Sequence, residues 1–331
     1  MAKQQKHKPF GVLNALIYFI NVLILAVVIC SYMPIHYGYW WLDNLLSLKL
    51  QWALVALLML AVNFFIIRKA LIFSLLTCLM LSYPPLSQFV NNTQAHETTQ
   101  LLNIAQLNLR YQNPDIEQLL ERLNSSEYDL LALQEASDNW HRQIQSLSKS
   151  YPYSVGTSDS SPSPSGLVLF SRWPIVEHQL HFLGYRGGHV IEAIIQSPET
   201  STPVQVFALH PVSPRNAELW QLRNKELNSV AQLVANSSLQ YKIIIGDLNT
   251  SPWSWQFKRL QNQSLLSNTS NLFGYIPSWS YRQDNPLITW LSSAYIDHCL
   301  ISDDFILIDK SQEQIRGTDH LLITTLLGMP E

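Results

Sequence analysis

Eight polar side chains lie where apolar, strand-like segments of this 331-residue chain begin or end. They comprise four acids, two amides and two histidines: Glu135, Asp247, Asp297, Asp319, Asn108, Asn249, His210 and His320. A carboxylate at the edge of an apolar strand is costly unless it is paired, hydrogen-bonded or metal-bound. Singly, each of these residues is also typical of a turn or a helix cap. Together they form a set suited to binding Mg²⁺ and a phosphate group.

The elements that must position these residues are short apolar strands and a few helices. Because most of the strand-like runs are apolar throughout and alternate with helices and hairpins, we expect a sheet-based α/β core covered on both faces. One long helix is expected over Pro214–Asn236, and a shorter one is expected to begin with Asn113 as its N-cap. Strands are expected at 103–109, 128–133, 166–171, 190–196, 204–209, 241–246, 295–301, 305–309 and 321–326.

Six short segments, in order along residues 99–327, resemble the motifs of the endonuclease/exonuclease/phosphatase superfamily. Gly246-Asp247-Leu248-Asn249 is similar to its Gly-Asp-Phe/Leu-Asn signature, and Gly317–His320 is similar to its closing Ser-Asp-His, with Thr318 in place of Ser. The other four are Asn108, Leu133-Gln134-Glu135, Ala208-Leu209-His210-Pro211 (with Leu209 at a Thr position) and Ile296-Asp297-His298. The fold that this resemblance implies is a four-layered α/β sandwich of two packed mixed sheets flanked by helices.

The resemblance also implies a metal site. Glu135, Asp319 and Asn108 would hold Mg²⁺, with Mn²⁺ as the alternative, since both ions favour oxygen ligands. The metal would neutralise phosphate charge and stabilise the leaving oxygen.

Catalytic roles follow from the same resemblance. Asp247 would orient and deprotonate the attacking water, and Asn249 would position the water or the phosphate. His210 and His320 would donate hydrogen bonds to phosphoryl oxygens, while Asp297 would orient the ring of His320 and favour its protonated form. The sequence leaves open whether Asp247 or His320 is the operative base.

Several other residues with reactive or polar side chains are interpreted as structural. Arg223-Asn224 is interpreted as a pair on the face of the long helix rather than as part of the site. Trp253, Trp255 and Phe257, which follow the Gly-Asp-Leu-Asn motif, are interpreted as lid or core packing. The three cysteines form no metal-binding pattern and are too few for a disulfide framework.

Three long uncharged runs precede the globular half, at Phe10–Met33, Leu50–Ile67 and Ala70–Val90. Each is near the length that crosses a hydrocarbon core of about 30 Å. They predict a membrane anchor of three transmembrane helices over residues 1–94, followed by a catalytic domain over 95–331. The alternative for the first run is a cleaved signal peptide, which two further runs and the lack of a small-residue cleavage site disfavour.

Charge asymmetry predicts the orientation of this anchor. The basic residues Lys3, Lys6, Lys8, Arg68 and Lys69 fall on one side, against Lys49 on the other, which places the N-terminus in the cytoplasm. An odd number of spans then places the catalytic half outside the cytoplasm. Because Asn249-Thr250-Ser251 is a glycosylation sequon inside a catalytic motif, a bacterial inner membrane with a periplasmic domain fits better than a glycosylating lumen.

The function expected from these patterns is that of a membrane-anchored phosphoesterase acting on a phosphodiester or a phosphomonoester. Residues after 94 carry 15 basic and 23 acidic side chains, a net charge of −8 that disfavours a general nucleic-acid binder. The tether and this charge favour a lipid-linked substrate. An extracytoplasmic nuclease and a catalytically inactive membrane scaffold are the alternatives. A transporter is disfavoured because the spans carry no charged residue.

Overall fold

The computed structural model describes residues 10–33, 38–87, 100–136, 141–157, 166–183, 189–269, 277–281 and 285–330. The chain separates into two compact units, Met1–Phe89 and Val90–Glu331. Several predicted features lie outside the described residues: the basic residues Lys3, Lys6 and Lys8, the end of the third predicted span at 88–90, and the predicted domain boundary at 94/95.

The first unit is helical. Its helices are α1 (Phe10–Tyr32), α2 (Trp40–Leu46), α3 (Lys49–Phe65) and α4 (Leu71–Ser87), with a 3-10 turn at Arg68–Ala70. Buried polar side chains join three of these helices: Asn63 on α3 donates to Asn21 on α1 at 2.9 Å and also to Ser74 on α4. Amide and hydroxyl groups of this kind hold apolar helices together where no water competes for their hydrogen bonds.

One helix among the described residues, Gly11–Tyr32 of α1, is long and apolar enough to cross a membrane alone, with a mean hydropathy of 2.7. The pair α2 and α3 passes the same test only together and is bent by 63° at its break. The described part of α4 has 17 residues, about 25 Å of helix. Helices therefore occupy the predicted positions, but the described residues support one span, or two if the bent pair counts, and not the predicted three.

The second unit contains two six-stranded sheets and a two-stranded ribbon. The strands are β1 (Gln100–Asn108), β2 (Leu130–Gln134), β3 (Tyr153–Val155), β4 (Val168–Ser171), β5 (Ile175–Phe182), β6 (His189–Gln196), β7 (Pro203–Leu209), β8 (Tyr241–Asp247), β9 (Ser267–Asn268), β10 (Trp279–Ser280), β11 (Ser293–Ala294), β12 (Asp297–Ile301), β13 (Ile306–Gln314) and β14 (Leu321–Met329). Strand order in the first sheet is β13-β14-β1-β2-β4-β3 and in the second β5-β6-β7-β8-β12-β9, while β10 and β11 form the ribbon.

Each large sheet has one parallel pair at its centre, β1 with β2 and β7 with β8, and its other strand pairs are antiparallel. A helix connects each parallel pair, as such a connection requires. These helices are α5 (Ile116–Asn124) and α7 (Ala217–Asn236); the others are α6 (His141–Ile144), α8 (Trp255–Ser264) and α9 (Pro286–Leu291). The carboxyl ends of the two parallel pairs carry the residues of interest.

The core is layered. One apolar cluster lies between the two sheets, where residues such as Ile104 and Ile245 are fully buried. A second lies between the first sheet and α5, around Leu119. A third lies between the second sheet and helices α7 and α8, around Leu227 and Phe257. The predicted α/β sandwich of two packed mixed sheets flanked by helices is confirmed.

Some local predictions differ from the structure. Helix α5 begins after Asp115 rather than at Asn113, because the Asn113 side chain bonds Leu109 O and Asp115 N in a turn before the helix. The N-cap of α7 is Asn216, whose side chain accepts from Leu219 N at 2.9 Å. Strand β5 was not predicted, because most of its side chains are exposed and mix polar with apolar types.

Candidate active site

All eight predicted site residues lie at one edge of the sandwich. The parallel strands β1, β2, β7 and β8 end there, and the antiparallel strands β12 and β14 begin there. This arrangement follows from topology, since the end of one strand lies beside the start of an antiparallel neighbour.

Two acids and a histidine form the buried floor of the site. Asp297 and Asp247 are direct cross-strand partners on β12 and β8. His320 approaches from the first sheet, and its Nδ1 donates to Oδ2 of Asp297 at 2.9 Å. Ser278 Oγ donates to the same Asp297 oxygen at 2.6 Å, so the ring of His320 has a fixed partner.

Two imidazole nitrogens converge on one oxygen of Asp247. His210 Nε2 lies 3.6 Å from Asp247 Oδ2, and His320 Nε2 lies 3.8 Å from the same atom. Both separations exceed a direct hydrogen bond. The three groups therefore surround a point at which a water or a phosphoryl oxygen can contact each of them.

Burial and charge determine the protonation of this floor. Burial, and secondly the charge of Asp297, raises the pKa of the Asp247 carboxyl to about 8. Burial lowers the pKa of His320, but the charge and hydrogen bond of Asp297, together with the charges of Asp247 and Asp319, outweigh burial and raise this pKa to about 9. His320 is thus held as a cation beside two acids.

Asn108 connects the floor to Glu135. Its Nδ2 donates to Asp247 Oδ2 at 3.2 Å and to Glu135 Oε1 at 3.3 Å, so two carboxylates share one neutral donor. The other oxygen of Glu135 accepts from Tyr111 N at 2.9 Å. Glu135 is half-buried while Asn108 and Asp247 are buried, which places Glu135 nearer to solvent than the floor.

Asp319 lies on the loop that precedes β14. Its Oδ2 accepts from Trp279 Nε1 at 3.0 Å. Thr318 fixes this loop, because its hydroxyl donates to Asn108 O at 2.7 Å and accepts from His320 N. The hydroxyl explains why Thr can stand where the family resemblance expects Ser.

Two site residues have left-handed backbones, Glu135 with φ 56° and Asn249 with φ 48°. This conformation is uncommon for residues other than glycine and concentrates at functional sites. Gly166 packs against the backbone of Glu135 and Ala136, and a Cβ on Gly166 would lie 2.8 Å from Ala136 N. Gly246 allows β8 to approach β7, since a Cβ there would lie 2.0 Å from Leu209 O, next to His210.

Three residues that contact the site were not singled out as site residues from the sequence: Ser278, Thr318 and Arg223. The interpretation of Arg223 as a helix-face residue is wrong: its side chain is buried, and Nη1 donates to Asn249 O at 2.6 Å. The structure also gives His298 a structural position. Its Nε2 lies 2.8 Å from Thr250 O, and burial lowers its pKa to about 3.

The residues present fit a divalent cation. The donors at the strand ends are mainly carboxylate and amide oxygens, which are the ligands that a hard divalent cation prefers. Among the described acidic, histidine and cysteine side chains, one trio has ligand atoms all within 4.8 Å of one another: Asp247, Asp297 and His320. This trio differs from the predicted set of Glu135, Asn108 and Asp319. A protonated His320 already bonded to Asp297 is a poor metal ligand, and the set of Glu135, Asn108 and Asp319 stays a prediction.

The model of the endonuclease/exonuclease/phosphatase family matches residues 105–320, which span the site from β1 to His320. The chain belongs to this family. Members of the family are metal-dependent phosphoric ester hydrolases, and so is this chain. No curated protein matches it in sequence.

Solved structures of the family share the fold. An endonuclease/exonuclease/phosphatase from Beutenbergia cavernae is 18% identical with a TM-score of 0.57, covering 70% of this chain and 72% of that one. A family protein from Bacteroides thetaiotaomicron is 14% identical with a TM-score of 0.57, covering 71% of this chain and 100% of that one. Sphingomyelinase C from Streptomyces griseocarneus is 16% identical with a TM-score of 0.52, covering 70% and 100%.

Proposed function

We propose that the site hydrolyses a phosphate ester by attack of a water held between Asp247 and the two histidines. The observation that carries this proposal is the convergence of His210 Nε2 and His320 Nε2 on Asp247 Oδ2, at 3.6 and 3.8 Å. A reacting group at this point lies within reach of an acceptor and two donors, which is the arrangement that hydrolysis needs.

Asp247 accepts the proton of the attacking water, and Asn249 positions that water. Asn249 N donates to Asp247 Oδ1 at 2.9 Å, so the second carboxylate oxygen faces the histidines. The side-chain amide of Asn249 donates to Pro211 O at 3.0 Å, and its own oxygen is left to accept from water.

The histidines stabilise the charge that develops on the phosphoryl group. His320 is cationic because Asp297 raises its pKa, and its Nε2 donates towards the reacting group. His210 follows β7, the parallel neighbour of β8 in the second sheet. Donors fixed in advance in a buried site stabilise developing negative charge more strongly than water does.

Glu135, Asn108 and Asp319 would hold the metal ion, which would be Mg²⁺ or Mn²⁺. Glu135 is already oriented by Tyr111 N, and Asn108, whose Oδ1 accepts from Arg110 N at 3.0 Å, lies at the neighbouring strand end. When bound, the ion neutralises phosphate charge and stabilises the leaving oxygen.

The favoured substrate is a phosphoester at a membrane surface, such as a lipid headgroup. Apolar side chains of α9 and the loop before it lie beside the site and are exposed: Tyr281 by 73%, Leu287 by 63% and Leu291 by 49%. Ser280 links α9 to the site, because its hydroxyl donates to Thr289 O and its N–H donates to Asp319 O. An exposed apolar rim beside a polar site favours a substrate at a membrane surface over nucleic acid in solution.

The N-terminal unit supports the same substrate class. We propose that it anchors the chain in the cell membrane through α1, with the N-terminus in the cytoplasm. An anchor raises the effective concentration of membrane-borne substrates and gives no comparable advantage with a dissolved polymer. The net charge of −8 after residue 94 further disfavours a polyanion.

A competition assay tests the substrate class. Full-length protein is placed in phospholipid vesicles with Mg²⁺ and supplied with plasmid DNA in the same reaction, and headgroup release and DNA nicking are measured together. We expect headgroup release, and we expect Leu287→Gln with Leu291→Gln to reduce it while hydrolysis of soluble bis(4-nitrophenyl) phosphate is unchanged. Leu180→Gln, on β5, is the matched control. Rapid nicking without headgroup release makes the chain a nuclease instead.

A further inference from the structure

Arg223 is the largest fully buried side chain among the described residues, with an exposure of 1%. It lies on α7, the helix that connects β7 to β8. A buried guanidinium needs strong acceptors, because its charge and its five N–H groups are otherwise unpaired. The identity of these acceptors indicates what the residue does.

One acceptor of Arg223 belongs to the catalytic loop. Nη1 donates to Asn249 O at 2.6 Å, and Nε donates to Asn224 Oδ1 at 2.8 Å. Asn249 is the loop residue with φ 48°, a left-handed conformation that is uncommon outside glycine and that Asn and Asp adopt most readily. The backbone of Asn249 points its carbonyl towards α7, and the hydrogen bond from Arg223 holds this carbonyl in place.

Asn249 is also where two catalytic loops meet. Its N–H donates to Asp247, and its side chain donates to Pro211 O, next to His210. One turn further along α7, Glu226 accepts from Val212 N at 3.3 Å in the same loop. Buried polar residues of one helix therefore hold both the Asp247 loop and the His210 loop.

We propose that Arg223 is a positioning residue, which holds Asn249 in its left-handed conformation and so sets Asp247 against His210. This inference rests on the proposed function of the site, since it assigns a role to a residue that does not touch the substrate. Guanidinium is the suitable group because its rigid, planar fork bonds two acceptors at once, whereas an ammonium is a single point charge.

Kinetics of the full-length protein test the proposal. Arg223→Gln and Arg223→Lys are compared with Lys225→Gln, an exposed control on the same helix, using bis(4-nitrophenyl) phosphate and Mg²⁺. We expect kcat to fall about 10- to 100-fold in Arg223→Gln with KM changed little, since displaced catalytic groups slow the chemical step. Arg223→Lys is expected to retain part of the activity. Lys225→Gln is expected to match the wild type.

Hydrogen exchange gives a second measurement that needs no substrate. Amide exchange of a peptide covering 247–254 is expected to accelerate in Arg223→Gln, while a peptide from β6 remains as protected as in the wild type. If the wild type hydrolyses no phosphoester, the proposed function fails and this comparison still decides the role of Arg223.

Three outcomes overturn the proposal. They are an unchanged kcat with an unchanged exchange rate at 247–254, faster exchange across the whole domain, or failure of both Arg223 variants to fold. The last two would show that Arg223 supports the domain as a whole.

Discussion

At the scale of single residues, the site depends on what surrounds Asp247. Its carboxylate shares Asn108 with Glu135, pairs across strands with Asp297 and lies opposite two imidazole nitrogens. Each neighbour comes from a different strand end. A change at any one of them alters charge or geometry at the same oxygen atom.

Asp297→Asn tests the histidine assignment. The carboxylate raises the pKa of His320 to about 9, so its removal lowers that pKa and the imidazolium is lost at a lower pH. We expect kcat to fall by about 10²- to 10⁴-fold and the alkaline limb of the pH–rate profile to move to lower pH. The control is Asp309→Asn on β13. An alkaline limb that does not move would exclude Asp297 as the partner that sets the charge of His320.

Glu226→Gln tests a buried acid of α7. Burial raises the pKa of Glu226 to about 7 from an ordinary value of 4.5. The folded state therefore holds a proton that the unfolded state releases, and stability decreases as pH rises from about 4.5 to 7, by at most about 3 kcal/mol. In Glu226→Gln this decrease should be absent. Thermal unfolding of both proteins across this pH range measures the difference, and parallel curves would contradict the assignment.

Which of these contacts could be predicted depends on how local they are. The eight strand-end residues could be found because each closes or opens an apolar run in the sequence. Ser278, Thr318 and Arg223 reach the site through hydrogen bonds to residues distant in sequence, namely Asp297, Asn108 and Asn249. Thr318 stands inside a predicted motif, but its contact with Asn108 O depends on the pairing of β14 with β1. No spacing pattern marks Ser278 or Arg223, which the ribbon and α7 bring to the site.

At the scale of elements, strand ends place the catalytic groups and glycines permit their approach. Gly166 lies against the backbone of Glu135 and Ala136, and Ala136 N donates to Gly166 O at 2.8 Å. This contact supports the left-handed backbone of Glu135.

Gly166→Ala tests this support. The added Cβ would lie 2.8 Å from Ala136 N at a φ of 61°, so the Glu135 backbone must move. We expect the Mg²⁺ concentration for half-maximal activity to rise about tenfold or more, since groups that orient a ligand contribute about this much to metal affinity. A metal titration of activity measures the shift. An unchanged Mg²⁺ requirement would show that the backbone position of Glu135 does not affect metal binding.

A sheet-based α/β core could be predicted because its central strands are apolar runs that alternate with helices, whereas its arrangement as two packed sheets was implied by the family resemblance. Several short or exposed elements were not predicted, and two of them show the physical reason. Strand β5 is an edge strand with exposed side chains, and so lacks a buried face to reveal it. Helix α9 has six residues, none buried, and its position depends on its contact with Ser280.

At the scale of the whole molecule, the number of membrane spans decides where the active site faces. If α1 spans a membrane with the N-terminus in the cytoplasm, as we propose, one span would place the catalytic unit outside the cytoplasm and two spans would return it to the cytoplasm. A cleaved signal sequence would release the unit altogether.

Reporter fusions after residue 95 distinguish these topologies. With the N-terminus in the cytoplasm, we expect a periplasmic alkaline phosphatase fusion to be active and a cytoplasmic fluorescent fusion to be dark. Carbonate extraction should leave the protein in the membrane fraction. The reverse reporter pattern would support two spans, and release into the soluble periplasm would support a signal sequence.

The central claim is that Asp247 and Glu135 carry out metal-dependent phosphoester hydrolysis, and one assay tests it most directly. Purified full-length protein in detergent is titrated with Mg²⁺ on bis(4-nitrophenyl) phosphate and 4-nitrophenyl phosphate, alongside Asp247→Asn, Glu135→Gln and the surface controls Asp309→Asn and Glu177→Gln. We expect a chelator to abolish the activity and Mg²⁺ to restore it. The activity of Asp247→Asn is expected to be about 10²- to 10⁴-fold lower than that of the wild type. Glu135→Gln is expected to need more Mg²⁺ for half-maximal activity, and both surface controls are expected to match the wild type. Chelator-resistant turnover, or an Asp247→Asn variant as active as the wild type, would contradict the account.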